Sequence, residues 1–290
     1  MDIIKIPIDS HLANQSILDF LRYFNVSKPK IHLLQQHHLL LVNDQYKSFN
    51  QFLSEGDNVS IDVSEFESID FYPDDEPIDI LYEDDDVLII NKPAGIIIHP
   101  DDKSKSGTLV NRIAGYYKKN NINRQIRYLH RLDTETTGCI LIAKHFLIHS
   151  YLANHWDHEM IKRQYVAFVM GQPFKDTDTI AFPIGKDRHN NNRYRVKYDG
   201  EPAITSYQVI DHYPTYTYLR LELKTGKTHQ IRVHLSHLGH PLLGDTLYGG
   251  NKDKITRVAL HSESIELTNP VTGKSIKVAA PLPEDLLRLL

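Results

Sequence analysis

From Ile78 onward the sequence is a succession of short apolar runs bounded by turn residues, and no other feature constrains the fold as tightly. Ile78–Tyr82, Val87–Ile90, Ile140–Ala143, Tyr165–Met170, Thr205–Ile210 and Tyr216–Leu223 read as strands, against helices at Leu109–Tyr117 and His145–Trp156. Strands outnumber helices and several connections are as short as hairpin turns. The pattern predicts an α+β domain around a mixed, largely antiparallel sheet and excludes a doubly wound α/β fold. No GxGxxG follows a strand and no GxxxxGK[ST] occurs, so dinucleotide and nucleoside triphosphate sites have no support. No repeat of fixed period is visible in the 290 residues.

Residues 1–70 read as a separate small α+β module. Ile17, Leu18, Phe20, Leu21 and Phe24 recur at helical spacing with Ser16 placed to cap them. Leu39–Val42 is a short strand before an Asn43-Asp44 turn. Gly56-Asp57 makes a second turn, after which Val59, Ile61 and Val63 alternate as a half-buried strand. No Lys or Arg occurs between Lys47 and Lys92, while acids crowd that interval, so residues 71–77 read as an acidic linker and 78–290 as the main domain.

The net charge of −4 hides a division. Residues 1–101 carry 6 Lys+Arg and 19 Asp+Glu, net −13; residues 102–290 carry 27 and 18, net +9. A basic working face on the later part suits a polyanion; the acidic stretch reads first as a solvated linker and turn, and second as a surface that repels a polyanion from the wrong side. A single cysteine, Cys139, rules out an internal disulfide and a Cys-based zinc cage. No apolar run reaches the ~18 residues that span a bilayer, and the start lacks the charged-then-apolar form of a secretory signal. A cytoplasmic, reduced setting is expected, without membrane partners, and a monomer.

Five segments can carry chemistry. In HRLDTETTG, Asp133 follows Arg131 by two in a polar loop entering a buried strand; it either holds its own backbone in an Asx turn or acts as an acid, with Glu135 as competitor. In KRQYVA, Arg163, Tyr165 and Ala167 share a strand face, and Tyr165 is either a core aromatic or a platform for a nucleobase. In LKTGKTHQIRVH, Gly226 marks a turn and Thr228 can cap a helix starting at His229, with Arg232 near a terminus that favours anions; a plain surface arginine is the alternative. NKPAG and LLGDTLYGG read as structural turns. Among the 17 histidines, His234, His237 and His240 recur every third residue, as do His155 and His158, but no HExxH and no accompanying carboxylate supports a metal.

In order and spacing, these five segments resemble the RluA-type pseudouridine synthases over roughly residues 78–285, including ALHSESIEL and APLPEDL. Thr137 stands where that family usually has serine, and Lys227 where it usually has arginine. The module before them resembles the small α-L RNA-binding domain of a ribosomal small-subunit protein, an extra domain that many of these enzymes carry. The resemblance implies isomerisation of uridine to pseudouridine within ribosomal RNA, with tRNA as the second candidate, and requires no cofactor and no metal. It implies that Asp133 is the essential carboxylate, either adding to the anomeric carbon or helping to expel uracil as the sugar loses its C2′ proton and a glycal forms. It implies that Tyr165 stacks on the flipped base and in the second route takes a proton, and that Arg232 holds Asp133 ionised. Arg131 is implied to fill the gap left by the extruded base. Leu132 and Val233 are implied as apolar walls, and Lys162, Arg163, Lys227, His229 and Gln230 as the rest of the substrate-binding set. A catalytically silent RNA-binding protein and a glycosidic-bond hydrolase are the alternatives. The first would lack Asp133; the second would release free uracil and normally needs a second carboxylate.

Overall fold

The computed structural model describes residues 2–100, 106–156, 160–173, 175–190 and 192–290. His158, one of the histidines weighed above as a ligand, lies outside them. The first part holds β1 (Ile3–Pro7), α1 (Ile17–Tyr23), α2 (Lys28–Gln36), β2 (Leu40–Val42), β3 (Gln45–Tyr46) and β4 (Asn58–Asp62). Its four strands form an antiparallel sheet in the order β1-β4-β2-β3. Ser16 caps α1 as expected, its hydroxyl accepting from the Asp19 N–H at 3.0 Å. Asn43 and Asp44 both take positive φ, 52° and 61°, which makes the tight β2–β3 hairpin that two such residues favour.

The remainder comprises β5 (Ile80–Glu83), β6 (Val87–Lys92), α3 (Leu109–Lys119), β7 (Arg127–Tyr128), β8 (Thr137–Ala143), α4 (Phe146–Asn154), β9 (Ile161–Met170) and β10 (Thr177–Ile180). It continues with β11 (Ile184–Lys186), β12 (Tyr194–Val196), β13 (Thr205–His212), β14 (Tyr216–Leu223), α5 (Gln230–His237), β15 (Leu260–Thr268), β16 (Ser275–Ala279) and α6 (Glu284–Leu287). Ten of these strands form one sheet with the path β10-β13-β14-β9-β15-β8-β6-β5, β16 adding to β15 and β7 to β8; β11 and β12 form a hairpin apart. Every pairing in the large sheet is antiparallel except β8 with β15. The fold is thus the mixed, largely antiparallel α+β architecture that the strand pattern predicts.

All seven residues of β8 are buried, because both faces of the sheet are covered there. The period of two sends Cys139, Leu141 and Ala143 into one core and Ile140 and Ile142 into the other. The first core is shared with the N-terminal module, where Phe24 and Tyr23 lie with ring centroids 5.9 and 5.2 Å from that of Tyr151 on α4. The second packs α3. Each buried aliphatic side chain contributes about 1.5–3 kcal/mol, so β8 is the most anchored strand of the sheet, and the loop entering it inherits that rigidity. The acidic stretch 71–77 is held too: Phe71 is buried in the second core, and the Asp74 N–H donates to the Asn111 carbonyl at 2.9 Å.

Gly138 opens β8 at φ +106°, and a β-carbon there would collide with the Ser262 backbone on β15. Replacing it by alanine therefore forces both backbone strain and separation of the one parallel pair. Gly138→Ala is expected to lower unfolding stability by more than about 2 kcal/mol, read as a lower urea midpoint; an unchanged midpoint would show that β8 and β15 separate freely.

Candidate active site

The loop between β7 and β8 carries HRLDTETTG, and its carbonyls are fastened from beneath. Lys92, at the end of β6, has no exposed surface. Its Nζ donates to the carbonyls of Pro93 (2.9 Å), Thr134 (3.0 Å) and Thr136 (2.8 Å). These three acceptors use all three ammonium protons. Arg257 adds a bond from Nη1 to the Glu135 carbonyl (3.0 Å) and is itself held by Asp285 at 2.6 and 2.9 Å. The Glu135 carboxylate accepts from the Val258 N–H at 3.2 Å, which turns it toward this scaffold, and Glu135 is not among the residues lining the cleft.

Asp133 is gripped by Arg232. The guanidinium gives Nη1 to Asp133 Oδ2 at 2.9 Å and forms a two-pronged pair with Asp245, from Nε at 2.7 Å and Nη2 at 2.9 Å. Its plane also lies 5.0 Å from the centroid of the Tyr248 ring. Arginine alone has a rigid fork that can serve two carboxylates at once. Burial works against this charge, but Asp245 and Asp133 outweigh it and push the Arg232 pKa up, so the cation is permanent. No Asx turn forms: among the described residues, no backbone N–H donates to the Asp133 carboxylate.

Thr228 does not cap α5. His229 takes that position in the left-handed region, φ +57°, and the helix begins at Gln230. The conformation turns the His229 ring toward the Tyr248 hydroxyl (Nδ1 at 2.9 Å) and brings Nε2 to 3.7 Å from Asp133 Oδ1. Burial lowers the His229 pKa although Asp133 acts the other way. Gln230 spends its amide on the loop before it and on the entry of β13: Oε1 accepts from Thr225 Oγ1 and the Lys227 N–H, and Nε2 donates to the Ile204 carbonyl and Thr205 Oγ1, all at 2.9–3.0 Å. It shapes the cleft wall and has no amide group left for a substrate.

The cleft is lined by Arg131, Leu132, Asp133, Thr136, Tyr165, Leu223, Lys227, His229, Gln230, Ile231, Arg232 and Leu260. Its volume of about 60 Å³ holds a few waters. Tyr165 is buried, and burial raises its pKa; at neutral pH it is a hydrogen-bond donor and an apolar wall. Arg131 is exposed and makes no ion pair or hydrogen bond among the described residues. Lys227 reaches Glu201 at 2.7 Å across the rim, an exposed pair that is readily exchanged.

Three residues expected in the site lie elsewhere. Lys162 projects from the opposite face of β9 to Tyr165 and reaches Glu266 at 3.7 Å. Arg163 shares the face of Tyr165 but lies beneath the cleft, stacked on Trp156 at 4.7 Å, which in turn stacks on His130. Val233 points around α5 into a small core with Ile184, Ala203 and Tyr248; Leu223, Ile231 and Leu260 supply the apolar walls instead. The histidine series is dispersed: His234 bonds Thr205 Oγ1 and the Phe182 carbonyl, and His240 bonds the Met170 carbonyl. Among the described residues no cluster of three or more His, Cys, Asp or Glu could hold a metal, and no helix is long and apolar enough to cross a membrane.

A family profile described as RNA pseudouridylate synthase matches residues 86–237, the stretch that holds both Asp133 and Arg232. The chain belongs to the RNA pseudouridylate synthase family. A second profile, the RluD ribosomal pseudouridine synthase N-terminal domain, matches residues 4–59. The uncharacterized RNA pseudouridine synthase YhcT of Bacillus subtilis is 41% identical over 91% of this chain and 88% of its own length. Ribosomal large subunit pseudouridine synthase D of Salmonella typhimurium is 34% identical over 96% and 89%. In fold, human RNA pseudouridylate synthase domain containing 1 superposes with a TM-score of 0.60 at 24% identity, over 72% of this chain and 85% of that one. The synthase is therefore an isomerase acting on uridine in RNA. Asp245, Lys92 and Tyr248 are the residues missed from sequence; Asp245 lies in LLGDTLYGG and Lys92 in NKPAG, segments that read as plain turns. Thr136 was also missed: its Oγ1 is buried in the cleft wall without a hydrogen-bond partner among the described residues.

Burial, opposed by Asp133, draws the Lys92 pKa down to about 8, against about 10.4 for a free lysine. Between these values the unfolded chain binds more protons, so this group makes stability rise with pH. The neutral amine, however, has only two protons for three carbonyls. Turnover of the synthase is expected to fall along an alkaline limb centred near pH 8 while circular dichroism shows the chain still folded. A flat rate profile up to pH 9.5 would contradict this role for Lys92.

Proposed function

We propose that the synthase converts specific uridines of ribosomal RNA to pseudouridine with Asp133 as the reacting carboxylate, tRNA being the second candidate substrate. The observation that carries this reading is the Arg232 fork, which presents the Asp133 carboxylate at the floor of a cleft walled by Tyr165, Leu132 and Leu260. The names of the Salmonella relative and of the N-terminal profile support ribosomal RNA as the class of substrate.

In the reaction the N1–C1′ bond of uridine breaks, the uracil turns within the cleft, and C5 bonds to C1′ while the C5 proton is lost and N1 gains one. Nothing is oxidised or reduced. Asp133 acts in one of two ways: it adds to C1′ as uracil departs, or it removes the C2′ proton as a glycal forms. Arg232 serves both routes by holding the carboxylate in place. Tyr165 stacks on the base and donates a hydrogen bond. Arg131, unengaged beside Asp133, occupies the vacancy in the RNA and offsets part of the few kcal/mol that flipping costs. RNA binding exchanges the Lys227–Glu201 contact for one to a phosphate. The β11–β12 hairpin adds a basic rim, with Arg193 5.4 Å from the Tyr248 ring centroid and Tyr194 edge-on to His229; Lys186, Arg188, Arg195 and Lys197 follow the same stretch. In this reading residues 1–70 are an RNA-docking module, 71–77 the connection and 78–290 the catalytic domain, working as a monomer in the cytoplasm; the absence of any cysteine besides Cys139 fits that compartment.

Asp133→Asn keeps size and removes the charge. Pseudouridine formation is expected to drop to background while RNA affinity and melting temperature stay near wild type. Glu135→Gln, which alters only the Val258 contact, should retain most turnover. Appreciable product from the Asp133 variant, or free uracil released by the wild type, would sink the assignment.

A further inference from the structure

A cavity of about 490 Å³ lies between the N-terminal module and the catalytic domain, away from Asp133. Its walls are Val26, Ser27 and Lys30 from the module, and Gln125–Tyr128, Phe146, His149 and Ser150 from the domain. The size is that of a ligand site and not of a packing defect. The polar groups facing it are predominantly donors, and several are unspent. Lys30 Nζ rests over the Phe66 ring at 3.6 Å and has no hydrogen-bond acceptor among the described residues. The Ser27 hydroxyl makes no capping bond at the start of α2, and the side chains of His149 and Ser150 bond to nothing among the described residues. The one buried acid nearby, Glu67, is taken: it accepts from Arg127 Nη2 at 2.7 Å and from the Gln125 N–H at 3.0 Å, with no exposed surface of its own. That pair stiffens the wall and leaves Lys30 without an acid paired to it directly among the described residues; its charge rests only on the faces of Phe66 and Phe146, at 3.6 and 5.5 Å. Burial lowers the Lys30 pKa, so an anion that restores its partner gains from the low local dielectric.

We propose that this cavity is a second RNA contact, taking a backbone phosphate that flanks the target uridine on Lys30, Ser27, His149 and Ser150. The inference rests on the RNA-modifying reading above and deepens it. Tyr128 at the cavity edge is five residues before Asp133 in the chain, a span of at most ~18 Å even if extended. The cavity edge at Tyr128 therefore lies within a few nucleotides' length of Asp133. The arrangement also explains how a module poor in cations takes part in RNA binding: it supplies half of a composite site.

The test compares full-length wild type with Lys30→Gln and Ser150→Ala. The RNAs are an in vitro transcribed ribosomal RNA domain and a minimal hairpin carrying only the target uridine and its loop. Binding is measured directly over a salt series, and pseudouridine formation separately. For Lys30→Gln the slope of log affinity against log salt on the long RNA is expected to become shallower by about 0.7, one phosphate contact on a single strand. Its KM on that RNA should rise severalfold, whereas kcat and hairpin binding stay at wild-type values. Ser150→Ala should weaken long-RNA binding with no change in slope. An unchanged slope, or equal losses on both RNAs, overturns the proposal. Lys30-dependent thermal stabilisation by inorganic phosphate without any change in RNA affinity also overturns it, by assigning the cavity to a small anion. Absence of pseudouridine from wild type with the slope change intact would instead strike the functional reading alone.

Discussion

The site depends on a single planar cation serving two acids. Arg232 is committed to Asp245 by two parallel bonds and offers its remaining nitrogen to Asp133. Neither acid could do the work of the other. Asp245, with almost no exposed surface, sets the plane and direction of the guanidinium, and Asp133, half-buried at the cleft, uses the charge. Burying a cation in the first turn of a helix opposes both desolvation and the helix dipole. Two carboxylates compensate that cost; removing the buried one, Asp245, breaks the two-pronged pair from one side and costs about 3–5 kcal/mol, whereas Asp133 is partly solvated and its loss leaves Arg232 still paired. The arrangement orients Asp133 before any RNA arrives, which is the preorganisation that catalysis by charge requires.

Around that pair the fold supplies stiffness from two directions. The Asp133 loop enters β8, whose two faces are buried in separate cores, and its carbonyls are tied from below by Lys92 and Arg257. The opposite wall is held by the four bonds of the Gln230 amide and by His229, whose left-handed backbone costs about 1–3 kcal/mol and turns its ring toward Tyr248. Exposed Arg131 and the Lys227–Glu201 contact across the rim lie outside that braced framework.

The N-terminal module is joined to this scaffold by a shared core and by ion pairs, not by a free tether. Phe24 packs on Tyr151, Arg124 pairs with Asp2 at 2.7 Å, and Arg127 pairs with Glu67 at 2.7 Å. Part of the acidity of the first hundred residues is thus consumed internally, by arginines of the later part. The opposite net charges of the two halves hold them together as well as steering RNA.

The sequence by itself determined the class of fold, because a period of two with short turns admits only a sheet of mostly adjacent strands. It also marked the segments that carry Asp133, Tyr165 and Arg232, whose order and spacing are distinctive, and folding brings those three side chains to one cleft. Which neighbours mattered was decided by tertiary structure. Lys162 and Arg163 are adjacent in the chain, yet the strand pleat sends them to opposite faces. Gln230 and Val233 lie on the same short helix as Arg232, but one amide is consumed by its own loop and the other side chain faces a separate core. Asp245 and Lys92 sit in turns with no local mark of function; each acquires its role from a partner brought from a distant segment. A carboxylate becomes an anchor, and a lysine a strut, only through the donors and acceptors that folding places around it, and those long-range contacts leave no periodic trace in the chain.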